Sequence, residues 1–161
     1  MSRRLVEVLH GVNFDVLELR EGAVYGGFSL AELEREISGF ARPLGIELRF
    51  LQSNSEQAIV ERLHEIARLA RGGAPSGDAP APAGLVLNMG AWTHYAWAIH
   101  DALAIVGLPA VEVHLSDIFA REEWRRVSVV ADLCLATFAG HGVDGYRMAL
   151  ERLAEGWGRA A

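Results

Sequence analysis

An arginine and a tyrosine five positions apart, Arg20 and Tyr25, sit in "LELREGAVYGG" (residues 17–27), a glycine-loosened stretch just after the first apolar run of the chain. A phenol has a pKa of about 10, so it acts as a base near neutrality only where its anion is favoured. A neighbouring guanidinium favours it, and Arg20, with Arg125 further along, are the cations on offer. A second pair lies in "EVHLS", where Glu112 precedes His114 by two positions. In a strand that spacing puts both side chains on one face. A carboxylate beside an imidazole orients and charges it, as a general acid requires. Each feature also has a plain structural reading: Tyr25 as an amphipathic surface residue, His114 as a hydrogen-bonded core histidine.

His94 follows Asn88 and Thr93 at the opening of an expected helix. There it either caps and packs, or offers a hydrogen bond to a hydroxylated or anionic ligand at a helix N-terminus. "REEWRR" supplies Arg121, Arg125 and Arg126, which read as a solvated charge run or as a clamp for a carboxylate. A base, an acid and a clamp describe proton-transfer chemistry on a small anion. "HGVNF" lacks the glycine spacing of a dinucleotide or phosphate loop, and the histidines lack zinc-ligand spacing. No metal site and no nucleotide-phosphate loop is therefore expected.

These residues need a frame that brings distant segments together. Short apolar runs alternate with amphipathic ones: "RLVEVLH" (4–10), "IELRFLQS" (46–53), "GLVLNMG" (84–90), "PAVEVHLS" (109–116) and "DLCLATFAG" (132–140) read as strands. Between and after them, "SLAELEREISGFARPLG" (29–45), "SEQAIVERLHEIARLA" (55–70), "THYAWAIHDALAIVG" (93–107) and "GVDGYRMALERLAEGW" (142–157) read as helices. Ser29 and Glu32 have capping-box spacing. Such a series predicts an α/β fold: a flavodoxin-like, doubly wound sheet of five parallel strands in one domain over residues 1–161. "RGGAPSGDAPAPAG" (about 71–84) reads as a flexible insertion rather than a domain boundary. In such sheets ligands bind beyond the carboxyl ends of the strands, and here those ends carry "HGVN", "QSNSE", "NMGAWTH" and "EVHLSD".

Composition limits the partners. The 161 residues are 51% hydrophobic and 22% charged, with a net charge of −6, which disfavours nucleic acid as the main partner. A local arginine cluster can still attract a small anion. No apolar run approaches membrane-spanning length. The single cysteine, Cys134, lies in an apolar run and reads as an inert core thiol. The opening apolar stretch is broken by Glu7 and does not fit a signal peptide. Cytoplasmic localisation is the expectation.

From about residue 5 to about residue 155, the motifs taken in order resemble the type II 3-dehydroquinate dehydratases. Asn13 after the first strand, Arg20 and Tyr25 in the lid, "LQSNSE", "NMGAWTH" followed by "DAL", "EVHLS", "REEWRRVS" and "GVDGYRMAL" all match that family's pattern. The resemblance implies elimination of water from 3-dehydroquinate through an enolate, in shikimate or quinate metabolism, without a cofactor. By analogy Tyr25, helped by Arg20, is the base, and His114, oriented by Glu112, protonates the departing hydroxyl. Asn13 holds the water that stabilises the enolate. Asn88, Ser116 and the backbone at Leu115 bind the carboxylate; His94 and Arg125 bind ring hydroxyls; Arg121 shapes the lid. Asp101 comes from a neighbouring subunit of a homo-dodecamer built of trimers. The chain departs from the pattern at His10 and Val12 in "HGVN", at Glu18 and Gly22 in the lid, at Tyr95, Ala96, Trp97 and His100, and at Asp117. Two other readings stand beside this one: an enzyme for a related cyclic hydroxy-keto acid, and a non-catalytic oligomeric binding protein.

Overall fold

Period-two alternation along the strands sorts the core into two layers. The computed structural model describes residues 4–73 and 80–158, and its five strands are β1 (Arg4–His10), β2 (Ile46–Gln52), β3 (Gly84–Asn88), β4 (Ala110–His114) and β5 (Thr137–Ala139). They form one all-parallel sheet in the order β2-β1-β3-β4-β5. Leu9, Leu85 and Leu87 face one side, where they pack against α3 (Glu56–Ala70) and α4 (Trp97–Val106). Val6, Val8, Val86, Val111 and Val113 face the other, against α2 (Leu30–Ala41) and α5 (Asp144–Gly158). Covered on both faces, β1, β3 and β4 are almost wholly buried, while the edge strands β2 and β5 are only partly so. Among the described residues no helix is long and apolar enough to cross a membrane.

The helices begin where short polar side chains accept backbone N–H bonds. Ser29 and Glu32 complete the capping box of α2, and the Ser55 hydroxyl accepts from the Ala58 amide at the start of α3. Three boundaries differ from the sequence expectation. The helix over 29–45 ends at Ala41 and tightens into a 3-10 turn, Arg42–Leu44, closed by Gly45 in the left-handed region. The helix expected from Thr93 begins only at Trp97; before it Gly90–His94 form a 3-10 turn, with the Thr93 hydroxyl bonded to Glu112 instead of capping α4. In the last strand region, Ala131–Leu133 form a 3-10 turn because the Ser128 hydroxyl accepts from the Val130 and Ala131 amides. Pairing with β4 resumes at the Leu135 amide, which donates to the Ala110 carbonyl at 2.8 Å. Of the expected 71–84 insertion, residues 74–79 lie outside the described residues.

At the carboxyl ends of β1 and β3 the backbones nearly touch. The Gly11 amide donates to the Asn88 carbonyl at 2.8 Å, and a Cβ on Gly11 would stand 2.2 Å from the Met89 carbonyl oxygen. Only glycine permits this approach. It holds the loop after β1 against the turn after β3, over the end of the sheet.

Candidate active site

The loops beyond β1, β3 and β4 enclose a cleft of about 340 Å3, part of it open to solvent. Residues 17–27, expected as a loosened loop, are locally helical: a 3-10 turn at Leu17–Leu19 and one α-helical turn, α1 (Gly22–Tyr25). Gly26 closes that turn at φ +92, where a Cβ would strike the Phe28 ring at 2.1 Å. The turn delivers Tyr25 to the cleft. Arg121 donates to the Tyr25 oxygen at 2.9 Å and to the Ser116 hydroxyl at 3.1 Å. Arg20 lies over the Tyr25 ring, its guanidinium carbon 3.5 Å from the centroid. The cation that meets the phenol oxygen is thus Arg121, expected only to shape the lid. Arg125, offered by the sequence as a second partner, instead pairs with Glu122 at 2.9 Å and stacks on Trp124 at 4.1 Å. Burial lowers the Arg20 pKa below the usual guanidinium range, and Arg121 and Arg125 push it the same way against the opposing pull of Tyr25. Three guanidinium groups therefore share one cleft, and an anionic occupant relieves their mutual repulsion.

Register and alternation put Glu112 and His114 on the same face of β4, as the spacing predicted. The His114 Nε2–H donates to Glu112 Oε1 at 2.8 Å, with both side chains buried. Three hydroxyls converge on the same carboxylate: Ser128 at 2.8 and 2.9 Å, Thr137 at 3.0 Å, and Thr93. Burial by itself would raise the Glu112 pKa, but the bonds from His114, Thr93 and Ser128 and the neighbouring imidazole outweigh it and hold the carboxyl below its ordinary value. The ionised carboxylate fixes the imidazole with Nε2 inward. Nδ1 has no bond within the described chain and is the nitrogen available to the cleft.

His94 also lines the cleft, from the end of a 3-10 turn rather than from the helix N-terminus the sequence suggested. Its Nδ1–H donates to the Val127 carbonyl at 2.6 Å. Burial lowers its pKa, opposed by that carbonyl, so near neutrality the ring is uncharged and Nε2 is an acceptor. An acceptor here suits a hydroxyl. Asn88 lines the cleft from the end of β3, and Leu115 and Ser116 from beyond β4.

Residues 4–154 match the family model for dehydroquinase class II. The chain belongs to this family. Curated relatives of this class II dehydroquinase include the 3-dehydroquinate dehydratases of Carboxydothermus hydrogenoformans, 43% identical over 89% of this chain and 85% of the relative, and of Thermotoga maritima, 44% identical over 91% and 92%. Among solved structures, the type II dehydroquinase from Propionibacterium acnes superposes with a TM-score of 0.83 at 35% identity, covering 96% of this chain and 98% of that one.

Two expected residues stand away from this dehydroquinase's cleft. Asn13 sits at φ +69 on the exposed loop after β1, its amide donating to Asn54 Oδ1 at 2.9 Å, and is not among the lining residues. Asp101 is exposed on α4 and accepts from His100 at 3.0 Å. Sequence reasoning missed the hydroxyls of Thr93, Ser128 and Thr137, although Ser128 closes the quoted "REEWRRVS" motif. It also missed the ring of Trp124, edge-on to His94 at 5.3 Å. An apolar strand patterned only as core gave no signal for Thr137.

Proposed function

We propose that this chain is a type II 3-dehydroquinate dehydratase, and that Tyr25 and His114 carry the reaction. The Tyr25 phenolate, opposite Arg121 and beneath Arg20, takes the proton from the carbon beside the substrate ketone. The C–H electrons form the enolate. The enolate re-forms the ketone and expels the hydroxyl on the adjoining carbon, with a proton from His114 Nδ1, leaving a carbon–carbon double bond and water. Glu112 stabilises the imidazolium before transfer and keeps Nδ1 directed at the cleft. The proton then held by Tyr25 returns through solvent to His114, completing the cycle. Asn88, Ser116 and the Leu115 backbone bind the carboxylate; His94 accepts from a ring hydroxyl and Arg125 donates to one. Arg121 holds the lid closed through Tyr25 and Ser116. Asn13, on the loop after β1, holds the water facing the enolate.

One observation carries this reading: a phenol bonded to a guanidinium and an imidazole bonded to a buried carboxylate open onto the same cleft. We further propose assembly into a homo-dodecamer of trimers, with Asp101 completing a neighbour's site, and residence in the cytoplasm. The exposed Tyr95, Trp97 and Ile105 beside Asp101 on and before α4 support a protein-covered surface there. Mixing the protein with 3-dehydroquinate and following ultraviolet absorbance of the conjugated enone product tests the activity; a folded protein giving no absorbance growth refutes it. Sedimentation tests the assembly, which a stable active monomer excludes.

A further inference from the structure

Among the described residues one buried side-chain polar atom has no hydrogen-bond partner: Nδ1 of His10. His10 ends β1 and is fully buried, stacked on Phe14 at 4.8 Å and Phe50 at 6.4 Å. Its Nε2 lies 3.0 Å from the hydroxyl of Tyr146, a fully buried residue of α5. The same hydroxyl lies 3.0 Å from Asn88 Nδ2. The sheet register, which pairs His10 with Asn88, sets these neighbours side by side.

Donor and acceptor counting then fixes every proton in the series. The Gly90 amide can only donate, and it points at Asn88 Oδ1 at 3.4 Å. The other end of that amide is therefore NH2, which donates to the Tyr146 oxygen. The single Tyr146 proton must go to His10, so His10 Nε2 is bare and its hydrogen sits on Nδ1, the atom without a partner. Burial lowers the His10 pKa to about 3, in keeping with a neutral ring. Asn88 keeps one unused N–H, and Asn88 lines the cleft.

We infer that Tyr146 and His10 are positioning residues that, together with the Gly90 amide on Asn88 Oδ1, hold the Asn88 amide with its N–H, not its carbonyl, toward the cleft, and so tune the site to an anionic group. The inference rests on the role proposed above for Asn88 as a carboxylate ligand. With the relay reversed, the amide oxygen would face the substrate and repel a carboxylate. Neither Tyr146 nor His10 touches the ligand; both act through Asn88.

Two measurements decide it. In protein labelled with 15N-histidine, two-bond 1H–15N spectra at neutral pH are expected to show His10 neutral with Nδ1 protonated and Nε2 bare. Protonation at Nε2 overturns the relay whether or not the protein turns over 3-dehydroquinate. In steady-state kinetics, Tyr146→Phe is expected to raise KM for 3-dehydroquinate about tenfold while kcat stays within about threefold, the signature of one lost positioned hydrogen bond. A purely structural role would lower the active fraction, and with it apparent kcat, and leave KM alone; that result also overturns the proposal. Should Tyr146→Phe fail to fold, His10→Phe keeps the stack and removes the acceptor, and the same KM rise is expected. An unchanged KM in that folded variant counts against the relay. Wild-type silence toward 3-dehydroquinate sinks the proposed activity alone, since the tautomer spectrum still judges the relay.

Discussion

Acid should destabilise this protein through His10 by an amount that can be worked out. The folded state holds the imidazole neutral down to about pH 3, while in the unfolded chain it titrates at its ordinary 6.5. The folded pKa is depressed, so between these values the unfolded state binds the extra proton and stability falls as pH falls. Above pH 6.5 the contribution is fully present. Below it, each pH unit costs about 1.4 kcal/mol. Going from about pH 7.5 to about pH 5 therefore removes about 2 kcal/mol from the wild type through this group alone. His10→Phe lacks the group and keeps the aromatic stack, so its own loss over the same interval should be smaller by that amount. Urea unfolding of both proteins at both pH values, at equal protomer concentration so that assembly cancels, gives the difference. His94 and the carboxylates are common to both chains and drop out. A wild-type-minus-variant stability gap that is the same at the two pH values would refute the claim that His10 is buried neutral.

Three further outcomes are expected. Tyr25→Phe removes the oxygen that Arg121 holds and should abolish turnover while the urea midpoint moves little, since the residue is only partly buried; retained turnover excludes it as the base. Glu112→Gln keeps the shape but removes the charge beside His114, and should lower kcat by about 100-fold or more and stability by about 1–3 kcal/mol, because an amide cannot accept from all four donors; a kcat within about threefold of wild type counts against the pair. Cys134 is partly buried, and burial pushes its thiol pKa up to about 12, so it should react with iodoacetamide at pH 8 far more slowly in the native protein than after unfolding, measured by mass spectrometry; prompt labelling of the native protein excludes an inert thiol.

How much of this the sequence carried depends on whether the deciding contact is local. Glu112 and His114 share a face because strand spacing requires it, and the five parallel strands follow from the succession of apolar and amphipathic runs, whereas their order in the sheet is set by tertiary pairing alone. The partner of Tyr25 is set by how the segment after β4 folds back over the lid, 96 residues away in the chain; Arg125 and Arg121 look alike in sequence, and only Glu122 and Trp124 draw Arg125 aside. The start of α4 was misplaced because Thr93, a natural cap, spends its hydroxyl on Glu112. His10 stood out in the sequence as a departure from the family loop, but its bond to Tyr146 spans 136 residues, a distance at which no spacing rule operates.

The segment after the arginines is sewn to the turn after β3: the Val129 amide donates to the Thr93 carbonyl at 2.7 Å, His94 to Val127, and Ser128 to Glu112. The lid has no such stitching; α1 contains no fully buried residue, and its amides bond only within 21–26. Hydrogen exchange should divide accordingly, with Val24 to Gly26 exchanging through small local openings and Val129 only through the large ones that loosen the sheet end. Tyr25, the proposed base, thus sits on a turn held by few backbone bonds, while His114, the proposed acid, Glu112 and His94 belong to the more heavily bonded part. On the proposed reaction, opening this turn breaks the phenol–guanidinium bond and lifts Tyr25 off the core layer it packs against, without the imidazole losing its aim.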